Sequence, residues 1–278
     1  MPKWVTLGSR FSVLPTPNRT GGRWSPWTRL ASYRSTYESL IDRLIERARQ
    51  DPDLEARTDV LSLFLRSTYD DGSVMTRGEI GDELLTILAA GHETTASTLA
   101  WVFERISRHP EVLRRLVEEA ATDANSYRQA TILEVQRNRT VIDFAGRHVA
   151  APRYQVGEWV IPQGFSILVS LLQLHQDPEV YPHPERFDPQ RFIDDKPSTF
   201  SWVPFGGGTR RCVDAAFANM EMDVVLRTVL RHVTIQTTDA PAEKWHNRGV
   251  AYTPKRGGRV VVFRRAAALG WLGGARPG

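Results

Sequence analysis

Cysteine is nearly absent: Cys212 is the single one in 278 residues. It cannot form an internal disulfide, and alone it cannot build a multi-cysteine zinc or iron–sulfur site. It is therefore structural, reactive, or a single metal ligand. Long apolar runs are lacking as well. No stretch reaches about 18 uninterrupted apolar residues, and Met1-Pro2-Lys3-Trp4 opens without the apolar segment of a signal peptide. A cytoplasmic protein with no membrane span is the expectation. Acidic residues are missing from both ends, since residues 1–34 carry six Lys/Arg and residues 244–278 carry eight, with no Asp or Glu in either stretch. The middle holds 22 basic against 32 acidic residues. Basic ends on an acidic body could suit nucleic acid or an acidic protein. The basic residues are scattered among Gly and Pro with no helix-turn-helix, finger or RNP pattern, so no nucleic-acid partner is expected. Internal repeats are also absent.

What is present describes a chain able to bury a substantial core, with 41% hydrophobic and 24% charged residues. The first thirty or so residues, rich in Trp, Pro, Gly and Arg, read as irregular. From Ser35 to Gln50 the spacing of Tyr37, Leu40, Ile41, Leu44 and Ile45 predicts a helix, and Val60 to Leu65 continues in the same style. A long central helix over 76–109 is announced by Thr76-Arg77-Gly78-Glu79, which has the form of a capping box, and ended by Pro110. Further helices are expected from Pro110, from about Tyr127 to Arg139 and from about Val213 to Arg231. Short β-like runs lie at Tyr154–Val156, Glu158–Ile161, Ile167–Val169, Thr234–Thr237 and Arg259–Arg264. A Pro-rich connection fills residues 176 to 204.

Three constellations could carry chemistry. Ala90-Gly91-His92-Glu93-Thr94-Thr95 breaks helix rules in mid-element, since Gly costs about 1 kcal/mol relative to Ala and adjacent threonines divert hydroxyls to backbone carbonyls. It suits a helix that lets something approach its backbone and offers a carboxylate and a hydroxyl there; the plainer alternative is that Gly91 permits close packing while Glu93 and Thr94 face solvent. His92 has no His at i+4, so no zinc motif results. Glu134-Val135-Gln136-Arg137 puts a carboxylate and a guanidinium on one helix face, usually a surface pair worth a few tenths of a kcal/mol. Pro204-Phe205-Gly206-Gly207-Gly208-Thr209-Arg210-Arg211-Cys212 runs into a helix, so glycines, arginines and helix N–H groups surround the sulfur with positive potential. That environment suits a nucleophile or a metal ligand; a buried inert cysteine is the alternative.

Together and in this order, these segments resemble the cytochrome P450 family of haem-thiolate monooxygenases. The family's F-G-x-G-x-R-x-C-x-G loop is matched by Phe205, Gly206, Gly208, Arg210 and Cys212. Its [AG]-G-x-[DE]-T-[TS] is matched at Ala90, Gly91, Glu93, Thr94 and Thr95. Its E-x-x-R is Glu134 and Arg137, and its P-E-R-F is Pro184-Glu185-Arg186-Phe187. The match reaches from about Ser35 to Phe263.

The resemblance implies a mainly α fold with a small β region, in three parts: a basic segment 1–34, the C-terminal part of a P450 domain over 35–265 with its haem-ligand loop at 204–214, and a flexible tail 266–278. It implies haem b, with Cys212 as the axial thiolate on iron and Phe205, Gly206, Gly208 and Gly91 lining the cofactor. Arg210 would pair with a propionate, with Arg147 as a second candidate. Glu93 and Thr94 would deliver protons from the opposite face. Glu134, Arg137 and Arg186 would form a buried structural network, and His175 would only pack. The implied function is insertion of one oxygen atom of O2 into a small apolar substrate, with electrons passing from NAD(P)H through a reductase and a ferredoxin-like donor that docks near Arg211. The rivals are a catalytically inactive haem-binding fragment and a non-haem remnant or interaction module. Three departures stand out. Asp214 replaces the glycine two residues after the cysteine, Thr140 replaces the proline after E-x-x-R, and the chain is short of the usual family length by more than a third, which implies a missing N-terminal portion.

Overall fold

The computed structural model describes residues 26–265 apart from Lys196 and Val250. The readings of residues 1–25 as irregular and of 266–278 as a flexible tail lie outside these. Eight α-helices make up about half of the described chain: α1 Pro26–Arg49, α2 Val60–Arg66, α3 Arg77–Ile106, α4 Pro110–Ala120, α5 Ser126–Asn138, α6 Leu171–His175, α7 Arg191–Asp194 and α8 Ala215–His232. The chain divides into two compact units, residues 1–93 with 248–250 and residues 94–247 with 251–278, so α3 contributes to both.

In the first unit, α1 turns Tyr37, Ile41 and Ile45 onto Ile80 of α3, with Leu61, Phe64 and Leu65 of α2 at the margin. The i, i+4, i+8 spacing places these residues on one stripe. Helix α1 starts at Pro26, nine residues before the expected Ser35. Proline is well suited to a first helical turn, and there it marks a start rather than a break. The onset of α3 is a reciprocal capping box: the Glu79 carboxylate accepts the Thr76 N–H at 2.7 Å, and the Thr76 hydroxyl accepts the Glu79 N–H at 3.3 Å. Asp59 caps α2 by accepting from Ser62 N–H at 3.1 Å.

The second unit is built on α4, α5, α8 and the second half of α3. Trp101, Val102, Ile106, Leu113, Leu116, Val135, Leu226 and Leu230 form its core. Helix α5 differs from the others in being buried around nearly its whole circumference, including Arg128, Glu134, Gln136, Arg137 and Asn138. Glu119 of α4 closes its N-terminus, accepting the N–H groups of Tyr127 at 2.7 Å and Arg128 at 2.9 Å. The strands form antiparallel pairs. β1 Phe144–His148 pairs with β4 Ser166–Ser170, and β2 Arg153–Val156 with β3 Trp159–Pro162. β5 Val233–Ile235 pairs with β8 Val262–Arg264, and β6 Trp245–Asn247 with β7 Tyr252–Pro254. The expected small β region is present, and β1, β6 and β7 add to it. β1 reads Phe-Ala-Gly-Arg-His, without the β-branched alternation that marks a strand in sequence. The Pro-rich connection, expected without regular structure, contains the single helical turn α7.

Gly258 is where the last hairpin region meets α3. A Cβ there would lie 2.3 Å from the Ala100 carbonyl oxygen, and φ is +67°. Gly157, in the β2–β3 turn, has φ +57° with nothing within 4 Å of its Cβ position. Gly258→Ala is therefore expected to cost about 3 kcal/mol, strain plus overpacking, against about 1 kcal/mol for Gly157→Ala. Urea denaturation of the two variants checks this; equal losses would show that the close approach is not energetically significant.

Candidate functional site

Cys212 is exposed. Its loop is closed by backbone hydrogen bonds: Gly206 N–H donates to Val203 C=O at 2.9 Å, Arg211 N–H to Gly208 C=O at 3.1 Å, and Cys212 N–H to Phe205 C=O at 2.9 Å. Gly206 and Gly208 have φ of +72° and +69°, which other residues adopt only with strain, and a Cβ on either would meet no atom within 4 Å. The turn is thus bare on the side where side chains would otherwise stand. Phe205 anchors it, packing with Ile132, Ala218 and Met222 and lying edge-on to Trp202 at 5.9 Å.

Apolar side chains that follow the thiol in the chain stand open to water. Val213 is 90% exposed and Phe217, four residues further, 61%. Large apolar side chains left in water just after an exposed thiol are surface that a flat, apolar, metal-bearing group could bury. Arg210 is exposed with no carboxylate partner among the described residues and is available to an acidic group. These donors fit haem: one thiol, an apolar border and a cation. Asp214, in the family's glycine position, is the N-cap residue of α8 with φ −89° and makes no side-chain cap hydrogen bond. The backbone there does not demand glycine, so Asp214 adds only volume and charge.

Gly91, Glu93 and Thr94 lie within α3, which continues through them without interruption. Glu93 is partly buried, 3.6 Å from the Arg248 guanidinium, and is not simply solvated. The Thr94 carbonyl accepts the Thr98 hydroxyl at 2.9 Å. Arg147 is exposed on β1 and donates to the Gly146 carbonyl at 2.7 Å.

The Glu134–Arg137 pair departs most from its sequence-level weight. Both side chains are fully buried and joined by two hydrogen bonds of 2.7 and 2.8 Å. Arg137 also donates to the carbonyls of His175 at 2.8 Å and Arg186 at 3.2 Å, and Glu134 accepts the Asp188 N–H at 2.9 Å. The expected role of Arg186 is corrected here: it contributes its carbonyl, while its side chain is 71% exposed beside Asp188. The second cation of the network is Arg191, 3.9 Å from Glu134, largely buried and donating to the His183 carbonyl at 2.8 Å. The sequence contains two similar segments, Pro184-Glu185-Arg186-Phe187 and Pro189-Gln190-Arg191-Phe192. Only the second arginine reaches the carboxylate, because α7 begins there and packs on α5.

His175 was expected to pack and no more. It is fully buried, its Nε2 accepts the Val203 N–H at 3.1 Å and its Nδ1 lies 2.8 Å from the Thr140 hydroxyl. The sequence signal that could have revealed it is Thr140 itself, a hydroxyl in place of proline, which also donates toward the Gln136 and Arg137 carbonyls at 3.1 Å. Burial, reinforced by the Arg137 charge, lowers the His175 pKa to about 4.

Arg191→Ala is expected to destabilise by about 2 kcal/mol or more by weakening the charge balance of a buried carboxylate, while Arg186→Ala stays within about 0.5 kcal/mol. Chemical denaturation of both variants tests the assignment, and the reverse ranking would refute it. For His175 the folded pKa lies below the unfolded value of 6.5, so the unfolded state binds the extra proton first. Its contribution is complete above pH 6.5 and is lost toward pH 4, on the order of 3 kcal/mol in all. Comparing stability across that window in the wild type and His175→Gln should show the slope reduced in the variant; equal slopes would refute the prediction.

The cytochrome P450 family profile matches residues 23–259. A protein of Mycobacterium tuberculosis strain H37Rv named cytochrome P450 138 is 66% identical over 265 residues, covering 95% of this chain and 60% of that protein. Another named cytochrome P450 135B1, from the same strain, is 38% identical over 94% of this chain and 56% of that protein. Among solved structures, a retinoic-acid-bound cyanobacterial CYP120A1 superposes with TM-score 0.81 at 24% identity, over 95% of this chain and 62% of that one. A crystal structure of the cytochrome P450 CYP102L1 gives TM-score 0.79 at 20% identity, over 95% and 65%. The chain spans about 60% of the length of the curated relatives named P450 138. It belongs to the cytochrome P450 family.

Proposed function

We propose that this chain carries the haem-thiolate half of a monooxygenase, with Cys212 as the ligand to iron. The observation that carries the reading is the exposed Cys212 thiol on a glycine-framed loop bordered by exposed Val213 and Phe217, in a chain of this family. Arg210 would hold an acidic edge of the cofactor by a charge-assisted hydrogen bond. Phe205, Gly206 and Gly208 would shape the loop that presents the sulfur, and Gly91 would keep the α3 backbone approachable. Glu93 and Thr94, consecutive on α3, would hold and pass a proton, one as a carboxylate and the other as a hydroxyl. Haem b, when bound, supplies the one-electron and dioxygen chemistry by which one oxygen atom enters an apolar substrate. Electrons would come from NAD(P)H by way of a reductase and a ferredoxin-like protein, with exposed Arg211 facing the acidic donor. A cytoplasmic location belongs to the same proposal; no helix among the described residues is long and apolar enough to cross a membrane.

The reading is tested by supplying the purified chain with haem and reducing it under carbon monoxide. A red-shifted Soret band typical of thiolate ligation is expected, and it should vanish in Cys212→Ala. A wild-type chain without that band, or a Cys212→Ala chain that keeps it, would overturn the assignment.

A further inference from the structure

We infer that His175 is a positioning residue for the Cys212 loop, acting through the backbone of Val203 as a neutral imidazole protonated on Nδ1. The inference rests on the reading of Cys212 as the ligating thiolate, and its test reads the loop with no cofactor present.

The tautomer follows from the partners. Nε2 faces the Val203 N–H at 3.1 Å, and an amide N–H can only donate, so Nε2 is the bare acceptor. In a neutral ring the proton is then on Nδ1, which faces the Thr140 hydroxyl at 2.8 Å. The hydroxyl accepts there and turns its own proton to the Gln136 or Arg137 carbonyl, each at 3.1 Å. Val203 thus fixes the tautomer, and Thr140 accepts the Nδ1 proton that this tautomer carries, a partner proline could not provide. The His175 carbonyl accepts from Arg137 at 2.8 Å, which fixes the end of α6 to the buried ion pair. The charge acting on the ring is Arg137 of α5, which is paired with Glu134, itself 3.9 Å from Arg191 of α7. Tyr181 stands edge-on at 6.4 Å.

Val203 begins the turn that holds the thiol. Its carbonyl accepts the Gly206 N–H, and Phe205 in turn accepts the Cys212 N–H. Trp202, one residue earlier, donates its indole N–H to the Leu133 carbonyl at 3.1 Å. The far side of the loop is held to the same helix α5, because Gln136 donates to Asn219 of α8 at 2.9 Å and Ile132 packs on Met222. One buried helix thus fastens both stems of the cysteine loop. On the upstream stem, His175 supplies the acceptor without which the Val203 N–H would be buried and unpaired.

The experiment is amide hydrogen exchange at single-residue resolution on the cofactor-free chain, comparing wild type, His175→Phe, His175→Gln and Thr140→Val. In His175→Phe the amides of Val203, Gly206 and Cys212 should exchange about tenfold faster, while those of Leu226 and Leu230 in α8 stay unchanged. His175→Gln, whose side-chain oxygen can accept from Val203, should return to within about threefold of wild type. Thr140→Val leaves the Nδ1 proton without its acceptor and should fall between the two, which keeps the test available if His175→Phe does not fold. Unchanged exchange at Val203 in both His175→Phe and Thr140→Val overturns the inference. So does acceleration that is uniform over loop and α8, which would mark a general loss of stability. These outcomes are separate from the carbon monoxide spectrum, whose absence in the wild-type chain would overturn the ligand reading alone.

Discussion

The second unit depends on a charged pair with no access to water. Glu134 and Arg137 sit on a helix buried around nearly its whole circumference, where an unpaired carboxylate or guanidinium would cost several kcal/mol. The cost is offset because the charges have further partners: Arg137 reaches two carbonyls from different segments, and Glu134 takes a backbone N–H and lies close to Arg191. Each of those bonds ties a loop that has little apolar surface of its own. The segment from His175 to Asp188, short of regular structure, is tied down by this pair together with buried Tyr181 and Phe187.

From there the constraint passes by short steps to the thiol. Arg137 fixes the His175 backbone, the His175 ring fixes Val203, and Val203 opens the turn that ends in the hydrogen bond to Cys212. None of these contacts touches the sulfur. On the proposed reading of Cys212 as a ligand, its sulfur must be held within fractions of an ångström while remaining accessible, and an exposed side chain cannot be positioned by packing around it. Its position is set instead from behind, by a rigid backbone anchored in the core. The open side keeps apolar residues in water, an arrangement that is stable only because the rest of the unit buries enough surface elsewhere.

Much of this was legible in the chain order. The long helix α3, its capping box, the helix starting at Pro110 and the glycine loop before Cys212 all follow from local rules, because caps, proline and glycine act within a few residues. The relation between Glu134 and Arg137 was visible as a spacing, but its weight was not. At i,i+3 the same two letters describe a surface pair worth tenths of a kcal/mol or a buried one whose disruption costs about 3–5 kcal/mol. Helix α5 has a polar composition that suggests exposure, and only its neighbours show that it is enclosed.

The sequence by itself determined the family, most of the longer helices and the one residue that can serve as a thiolate ligand, since those rest on residue identity and short-range order. The tertiary structure decided what distance along the chain conceals. It selected Arg191 over Arg186 from two near-identical segments, because only one arginine is carried to the carboxylate by a helix packed on α5. It also turned His175 from a packing residue into the acceptor for Val203, 28 positions away. Burial, which gives a hydrogen bond or a charge its energetic weight, belongs to the folded assembly and has no counterpart in the order of residues.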